Sequence, residues 1–256
     1  MPNKIKKKND DGFQIYGING CYNIIQVKKI NILRIDIMVN GIAEKKKWVM
    51  NLISSNKYPI HRIPKPQFLK KHEGKRTQGI VVSFKGKILK EIPSFENDNH
   101  NSCLLVMDNL EDPQNMGQIV RTAECAGIDG IIIPEHGSVQ ATNTVLQVSQ
   151  GAFVHMPFYK CGNLHQQLRL LKDQGFWAIG MENNIKAKHW CQFDFKRKIV
   201  LVVGSEGKGI RPIIMKTCDE LLTIPMAGKI NSLNVSSAVS AILFERHRQM
   251  LQDHTK

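Results

Sequence analysis

The apolar positions of this 256-residue chain fall into short runs separated by helix-period segments, and a polar break divides them into two sets. In the first set, helical spacing predicts a helix over Asn19–Lys28, and Ile32, Leu33, Ile35, Ile37 and Val39 predict a strand over Ile32–Val39. A helix fits Ala43–Ser54, a short strand Pro59–Ile63, a helical turn Lys65–Lys71 and a strand Gly79–Phe84. Residues 13–90 thus read as a small α/β domain. The segment 91–101 is polar, contains Pro93 and has no periodicity, so it reads as a linker.

The second set, residues 102–256, begins with a strand at Cys103–Met107 and a loop to Gly117. A helix carrying Ile119, Val120, Ala123 and Ala126 follows, closed by Gly127, and then a strand at Gly130–Pro134. The pattern continues as helix Asn143–Ser149, strand Val154–Pro157, helix Leu164–Gln174, strands Trp177–Met181 and Lys198–Val203, helix Pro212–Cys218, strand Leu221–Pro225 and a final helix to about Gln249. Strands alternating with helices, each strand a short apolar run, imply a mostly parallel sheet covered on both faces.

Charge sharpens this division. Residues 1–100 hold 20 Lys and Arg against 8 Asp and Glu, whereas the remainder holds 16 against 14. Of the net +14, nearly all therefore lies in the front portion, which suits a domain that grips a polyanion beside a more neutral domain. Residues 1–12 read as a disordered basic tail. No hydrophobic run follows its lysines, so it is not a secretory signal, and no apolar run reaches the roughly 18–20 residues that span a bilayer. Cytoplasm without membrane attachment is the expectation. The six cysteines are scattered, with no CxxC and no Cys/His pair at zinc-finger spacing, so reduced structural thiols and no metal site are expected.

Three loops carry the candidate chemistry. The apolar run Leu221–Ile224 stops at Pro225, and the small and amide residues Met226 to Asn234 lead into the last helix. Val202–Gly209 repeats the plan with the glycine-rich Gly204-Ser205-Glu206-Gly207-Lys208-Gly209. Free backbone amides and helix dipoles gather at such strand ends, and two of these loops on adjacent strands build one pocket from backbone groups. The glycine spacing is GxxGxG, not the dinucleotide GxGxxG, and Lys208 is followed by Gly209 where a Walker A motif needs Ser or Thr. In the third loop, Asp112-Pro113-Gln114-Asn115-Met116-Gly117, Asn115 sits near a helix N-cap and Arg121 beyond it. An arginine beside an asparagine at a helix start suits a phosphate or an oxygen nucleophile. The bland alternative for Arg121 is a surface ion pair with Glu124 or Glu111.

In order, Asn115-x5-Arg121-Thr122-Ala123, Gly204-Ser205-Glu206-Gly207-x-Gly209, and Ile224-Pro225-Met226 through Ser232-Leu233-Asn234-Val235-Ser236 resemble the three signature motifs of the SpoU/TrmH family. These are RNA ribose 2′-O-methyltransferases of the trefoil-knotted SPOUT class that use S-adenosyl-L-methionine. Tyr16-Gly17-Ile18-Asn19 and Gln78-Gly79-Ile80-Val81 resemble an L30e-like RNA-binding extension, with Thr77 where family members often carry His. The resemblance implies a deep trefoil knot, a homodimer, and donor binding by Gly204, Ile224, Met226, Ser232 and Leu233. It implies a reacting site of Arg121, Asn115, Glu206 and Asn234. In that site Arg121 would hold the phosphate and hydroxyl of the target ribose, and Asn115 would orient Arg121 or the methionine end of the donor. Glu206 would pair with an arginine or lysine, and Asn234 would be the site residue at the start of the last helix. The extension is typical of members that methylate a guanosine ribose in the peptidyl-transferase region of 23S rRNA. A tRNA ribose methyltransferase, or a silent RNA-binding or ribosome-assembly factor on the same fold, are the competing expectations.

Overall fold

The structure is a computed structural model that describes residues 12–27, 30–56, 58–96, 101–183 and 187–253; the expected basic tail lies almost wholly outside them. The chain divides into two compact units, residues 1–87 and 88–256.

The first unit runs β1 (Phe13–Tyr16), α1 (Ile18–Gln26), β2 (Asn31–Met38), α2 (Ile42–Lys45), α3 (Lys47–Ser55), β3 (Ile60–Ile63), α4 (Lys65–Lys71) and β4 (Ile80–Lys85). Its four strands form one sheet in the order β1-β4-β2-β3, antiparallel except for the β2–β3 pair. Sequence periodicity misses β1, a four-residue strand that completes the sheet against β4. It also merges α2 and α3 into one helix. The break falls at Lys46, whose extended backbone (φ −86°, ψ 103°) ends one helix and caps the next. Within the sheet, the carboxylate of Asp36 is buried and ringed by Arg34 Nε (3.0 Å), Lys71 Nζ (2.9 Å) and His72 Nε2 (3.1 Å), which offset its desolvation.

The second unit continues with β5 (Leu89–Lys90), β6 (Cys103–Met107), α5 (Pro113–Cys125), β7 (Gly130–Pro134), α6 (Asn143–Val148), β8 (Phe158–Cys161), α7 (Leu164–Asp173) and β9 (Trp177–Met181). It ends with β10 (Lys188–His189), β11 (Ile199–Val203), α8 (Pro212–Met215), β12 (Glu220–Thr223) and α9 (Val235–Asp253). Eight strands make one sheet in the order β10-β12-β9-β11-β6-β7-β8-β5, and every pair is parallel. All five residues of β6, β7 and β11 are buried. That is why these strands read as unbroken apolar runs: both faces are covered. On one face Leu104, Val106, Ile132, Ala178, Val200 and Val202 pack with Leu164, Leu168 and Leu171 of α7 and Ile214 of α8. The alternate residues Cys103, Leu105, Met107, Leu201 and Val203 are buried on the other face.

Three expectations need correcting. The strand placed at Val154–Pro157 is a 3-10 turn at Ala152–Val154, entered through Gly151 in the left-handed region, and the strand begins at Phe158. The helix read to Cys218 stops at Met215. The third concerns the linker. Leu89 and Lys90, placed in the first domain, pair with Phe158 and Tyr159 in the second sheet. Phe95, within the linker, is buried against Tyr159 and Phe176, with its N–H donating to Gln174 Oε1 (2.8 Å) and its carbonyl accepting from Lys198 Nζ (2.8 Å). A single aromatic in a polar stretch gives no period to detect. Phe95→Ala is expected to destabilise the second unit by about 3 kcal/mol, the lower end for a buried Phe truncation, read as a lowered denaturant midpoint with an unchanged slope.

Candidate functional site

The site lies at the carboxyl ends of the central strands, where α/β sheets bind ligands. The loop after β11 turns back on itself: Gly209 N–H donates to Ser205 O (2.9 Å), and Ser205 and Gly209 form a bridge. A Cβ on Gly204 would lie 2.0 Å from the carbonyl carbon of Gly209, and Gly209 itself has φ +65°. The GxxGxG spacing is therefore the signature of a tight return loop, whereas GxGxxG opens a helix. The loop's exit is pinned by the buried carboxylate of Asp108, which accepts from Arg211 N–H (2.9 Å) and Arg211 Nε (2.8 Å).

This loop and the one after β12 enclose a cavity of about 320 Å³, within the roughly 300–1,000 Å³ of small-molecule sites. Gly204, Ile224, Met226, Ser232 and Leu233 all line it, together with Val203, Glu206, Lys208, Leu222 and Val235. β11 and β12 are not adjacent, as had been expected. β9 lies between them and brings Met181, Glu182 and Asn183 to the cavity wall. Sequence reasoning placed β9 but overlooked its tip; an acidic residue directly after a strand was the available signal. Asn183 Nδ2 donates to Asn231 O, joining the loop after β9 to the loop after β12.

At one side of the cavity Asn115 of α5 meets Glu206 and Asn234 from the loops after β11 and β12. Asn115 Nδ2 donates to Glu206 Oε1 (2.8 Å), and Asn234 Nδ2 donates to Asn115 Oδ1 (3.0 Å) and to Glu206 Oε1. Asn234 Oδ1 accepts from Ser236 N–H (2.8 Å), so Asn234 also caps α9. The last helix thus begins at a residue whose amide uses both its ends. The cap of α5 is Asp112, which accepts from Gln114 N–H (2.9 Å). Asn115 lies near that cap, as expected, as a buried residue of the first turn. Glu206 pairs with two amides and not, as expected, with an arginine or lysine.

Arg121 stands apart from this triangle. It lies a little over two turns into α5, exposed, and lines a separate open concavity of about 560 Å³ with Gln118, Gln150, Ser236, Ser237 and Ser240. Among the described residues its guanidinium has neither a hydrogen bond nor an ion pair, so neither Glu111 nor Glu124 holds it and Asn115 does not orient it. Ser236 Oγ lies 2.8 Å from Gln118 Oε1 and 2.6 Å from Asn234 Oδ1, which links the two hollows.

In the first unit the two motifs of the extension adjoin. Tyr16 pairs with Val81, Ile18 N–H donates to Gln78 Oε1 (2.9 Å), and Gln78 O accepts from Ala43 N–H (3.2 Å). Gln78 has φ 53°. Thr77 Oγ1 accepts from Gly79 N–H (3.3 Å), a local bond within the turn. Lys45, Lys46, Lys47, Lys65, Lys75 and Arg76 are exposed on this unit.

A sequence model described as the SpoU rRNA Methylase family matches residues 102–244. A protein of Staphylococcus saprophyticus assigned to the TrmH family of tRNA/rRNA methyltransferases is 34% identical over 205 residues, covering 78% of this chain and 82% of its own. The chain belongs to the SpoU rRNA methylase family: it is an RNA methyltransferase of the SpoU/TrmH type. Its fold matches the SpoU methyltransferase AviRb of Streptomyces viridochromogenes in complex with AdoMet (TM-score 0.77, 21% identity, 98% of this chain and 94% of that one). It also matches a solved RNA 2′-O ribose methyltransferase (TM-score 0.76, 20% identity, 93% and 89%). No helix among the described residues is long and apolar enough to cross a membrane, and no group of three or more His, Cys, Asp or Glu among them could hold a metal ion.

The triangle can be tested apart from catalysis. Serine is as good a cap as asparagine, so Asn234→Ser keeps the cap and deletes the two side-chain donations; it is expected to lose about 1–3 kcal/mol. Asn234→Asp sets a second carboxylate against Glu206, which raises the pKa of the pair above its unfolded value of about 4. Stability withheld while both are charged then returns as pH falls through the raised value. Thermal unfolding should show the deficit of Asn234→Asp against wild type shrinking from pH 8 to pH 5, with no such change for Asn234→Ser.

Proposed function

We propose that this protein transfers a methyl group to a ribose 2′-hydroxyl of ribosomal RNA, at a guanosine in the peptidyl-transferase region of the 23S molecule. The observation that carries the reading is the Asn115–Glu206–Asn234 triangle beside a cavity lined by all five residues assigned to the donor. When bound there, S-adenosyl-L-methionine supplies an electrophilic methyl on a sulfonium with a neutral thioether leaving group. The cavity suits it: loop backbone offers hydrogen bonds to a purine and ribose, while Val203, Leu222, Ile224 and Leu233 offer apolar walls.

The protein's own task is to bring in a poor nucleophile in line and to help its proton leave. Arg121 holds the phosphate and 2′-hydroxyl of the target ribose; its exposure, and its lack of a hydrogen bond or ion pair among the described residues, support this. A guanidinium stays protonated in proteins and is not the base; the phosphate relays the proton. Asn115 and Asn234 fix Glu206 and hold the methionine end of the donor. Arg121 lines a hollow separate from the cavity, which is consistent with a homodimer in which each site borrows from both chains; dimer and trefoil knot both follow from the family resemblance. The exposed cations of the first unit and the adjoining Gly17–Ile18 and Gln78–Gly79 turns support an L30e-like RNA-binding domain within residues 13–87. Action on cytoplasmic rRNA accords with that basic domain.

Incubation with labelled S-adenosyl-L-methionine and undermodified rRNA or tRNA, with methylated riboses mapped by resistance to alkaline cleavage, tests this. Label at one 23S guanosine is expected. Label in tRNA alone would replace the substrate, and no transfer to any RNA would favour a silent RNA-binding factor. Arg121→Ala is expected to abolish transfer while donor binding, measured by calorimetry, is retained; loss of donor binding would contradict its role.

A further inference from the structure

The tip of β9 carries a residue that none of the three signature loops includes. Glu182 follows Met181 directly and lines the cavity between the loops after β11 and β12. Its backbone is fixed by its N–H donating to Leu222 O (3.0 Å). Its Oε2 accepts from Ile210 N–H (3.4 Å), and a Cβ on Gly209 would come within 2.9 Å of it. One oxygen is thus braced against the return loop. Among the described residues Oε1 accepts no hydrogen bond, and the carboxylate makes no ion pair. Two carboxylates line the cavity, and Glu206 is already occupied by the amides of Asn115 and Asn234. Glu182 is the anionic acceptor that remains for a ligand.

We propose that Glu182 receives the ribose hydroxyls of the methyl donor and so fixes the nucleoside in the cavity. The inference rests on the donor site proposed above. A bound adenosyl donor presents two kinds of polar hydrogen that suit a carboxylate, the vicinal diol of its ribose and its α-ammonium. The amino-acid end carries a carboxylate of its own and needs a cation, and Lys208 is the lysine or arginine lining the cavity. That residue sits on the loop with Glu206, on the side of the triangle, where the methyl must be delivered. The amino-acid end therefore belongs there, and the diol falls to the tip of β9. Hydroxyl donors to a carboxylate form short, charge-assisted bonds about twice as strong as neutral ones. An acidic residue serves the same purpose beyond the fingerprint loop of dinucleotide folds, though here the acid precedes the glycine loop in sequence.

Calorimetric titration of the full-length protein with three ligands tests the assignment: S-adenosylhomocysteine, 5′-methylthioadenosine (which lacks the amino-acid end) and 2′,3′-dideoxy-S-adenosylhomocysteine. Glu182→Gln retains an oxygen for Ile210 N–H, so unliganded melting should be unchanged. It should bind the first two ligands about 10- to 100-fold more weakly, as for loss of a hydrogen bond to a charged group, by similar factors. The dideoxy ligand should bind wild type and Glu182→Gln alike. Weakening confined to S-adenosylhomocysteine would mean that Glu182 meets the ammonium, and unchanged affinity would remove it from the site; either overturns the proposal. The wild-type comparison is independent of any variant's folding: equal affinity for the dideoxy and parent ligands contradicts the assignment. Leu233→Trp, an exposed lining residue enlarged into the cavity, should abolish binding of all three. Normal binding by that variant would displace the donor site itself, and the role of Glu182 with it.

Discussion

One carboxylate holds the site together. Glu206 Oε1 accepts hydrogen bonds from Asn115 and Asn234, which belong to the segments after β6 and β12, while Glu206 itself follows β11. Three connections far apart in sequence are thereby brought to one point. Among the described residues no cation pairs with this carboxylate, and both of its partners are neutral amides. Because Asn234 caps α9 with its other end, the geometry of the triangle and the start of this long helix are set by the same side chain.

Around that point the backbone is held with little freedom. Gly204 lies so close to Gly209 that only a residue without Cβ fits, and the Asp108–Arg211 pair closes the loop's exit. A loop fixed in this way presents its amides and carbonyls in one arrangement, which limits the ordering cost of ligand binding. Arg121 contrasts with it. It is exposed on α5, and among the described residues its guanidinium has no hydrogen bond or ion pair, so it is free to meet a ligand that arrives from outside.

Much of this could be read from the residues. The parallel sheet was legible because β6, β7 and β11 are buried on both faces and therefore appear as continuous apolar runs. The signature loops were legible because their residue types are needed locally, glycine for a return turn and asparagine for a cap. What escaped depends on tertiary context. β1 and β5 are too short to show a period, and Phe95 is one aromatic in a polar stretch. That β9 lies between β11 and β12 is a matter of strand order, which no local pattern encodes, so Glu182 went unnoticed. The partner of Glu206 was misjudged for the same reason: charge alone suggested a cation, and the fold supplied two amides.

The central claim is that the loops after β11 and β12, with the tip of β9 between them, enclose the methyl donor. A crystal structure with S-adenosylhomocysteine bound addresses it most directly. The account predicts ligand density in the cavity, against the backbone of Gly204, Ile224, Met226 and Leu233, with the sulfur toward Asn115 and Asn234. Density elsewhere on the protein, with this cavity empty, would contradict it.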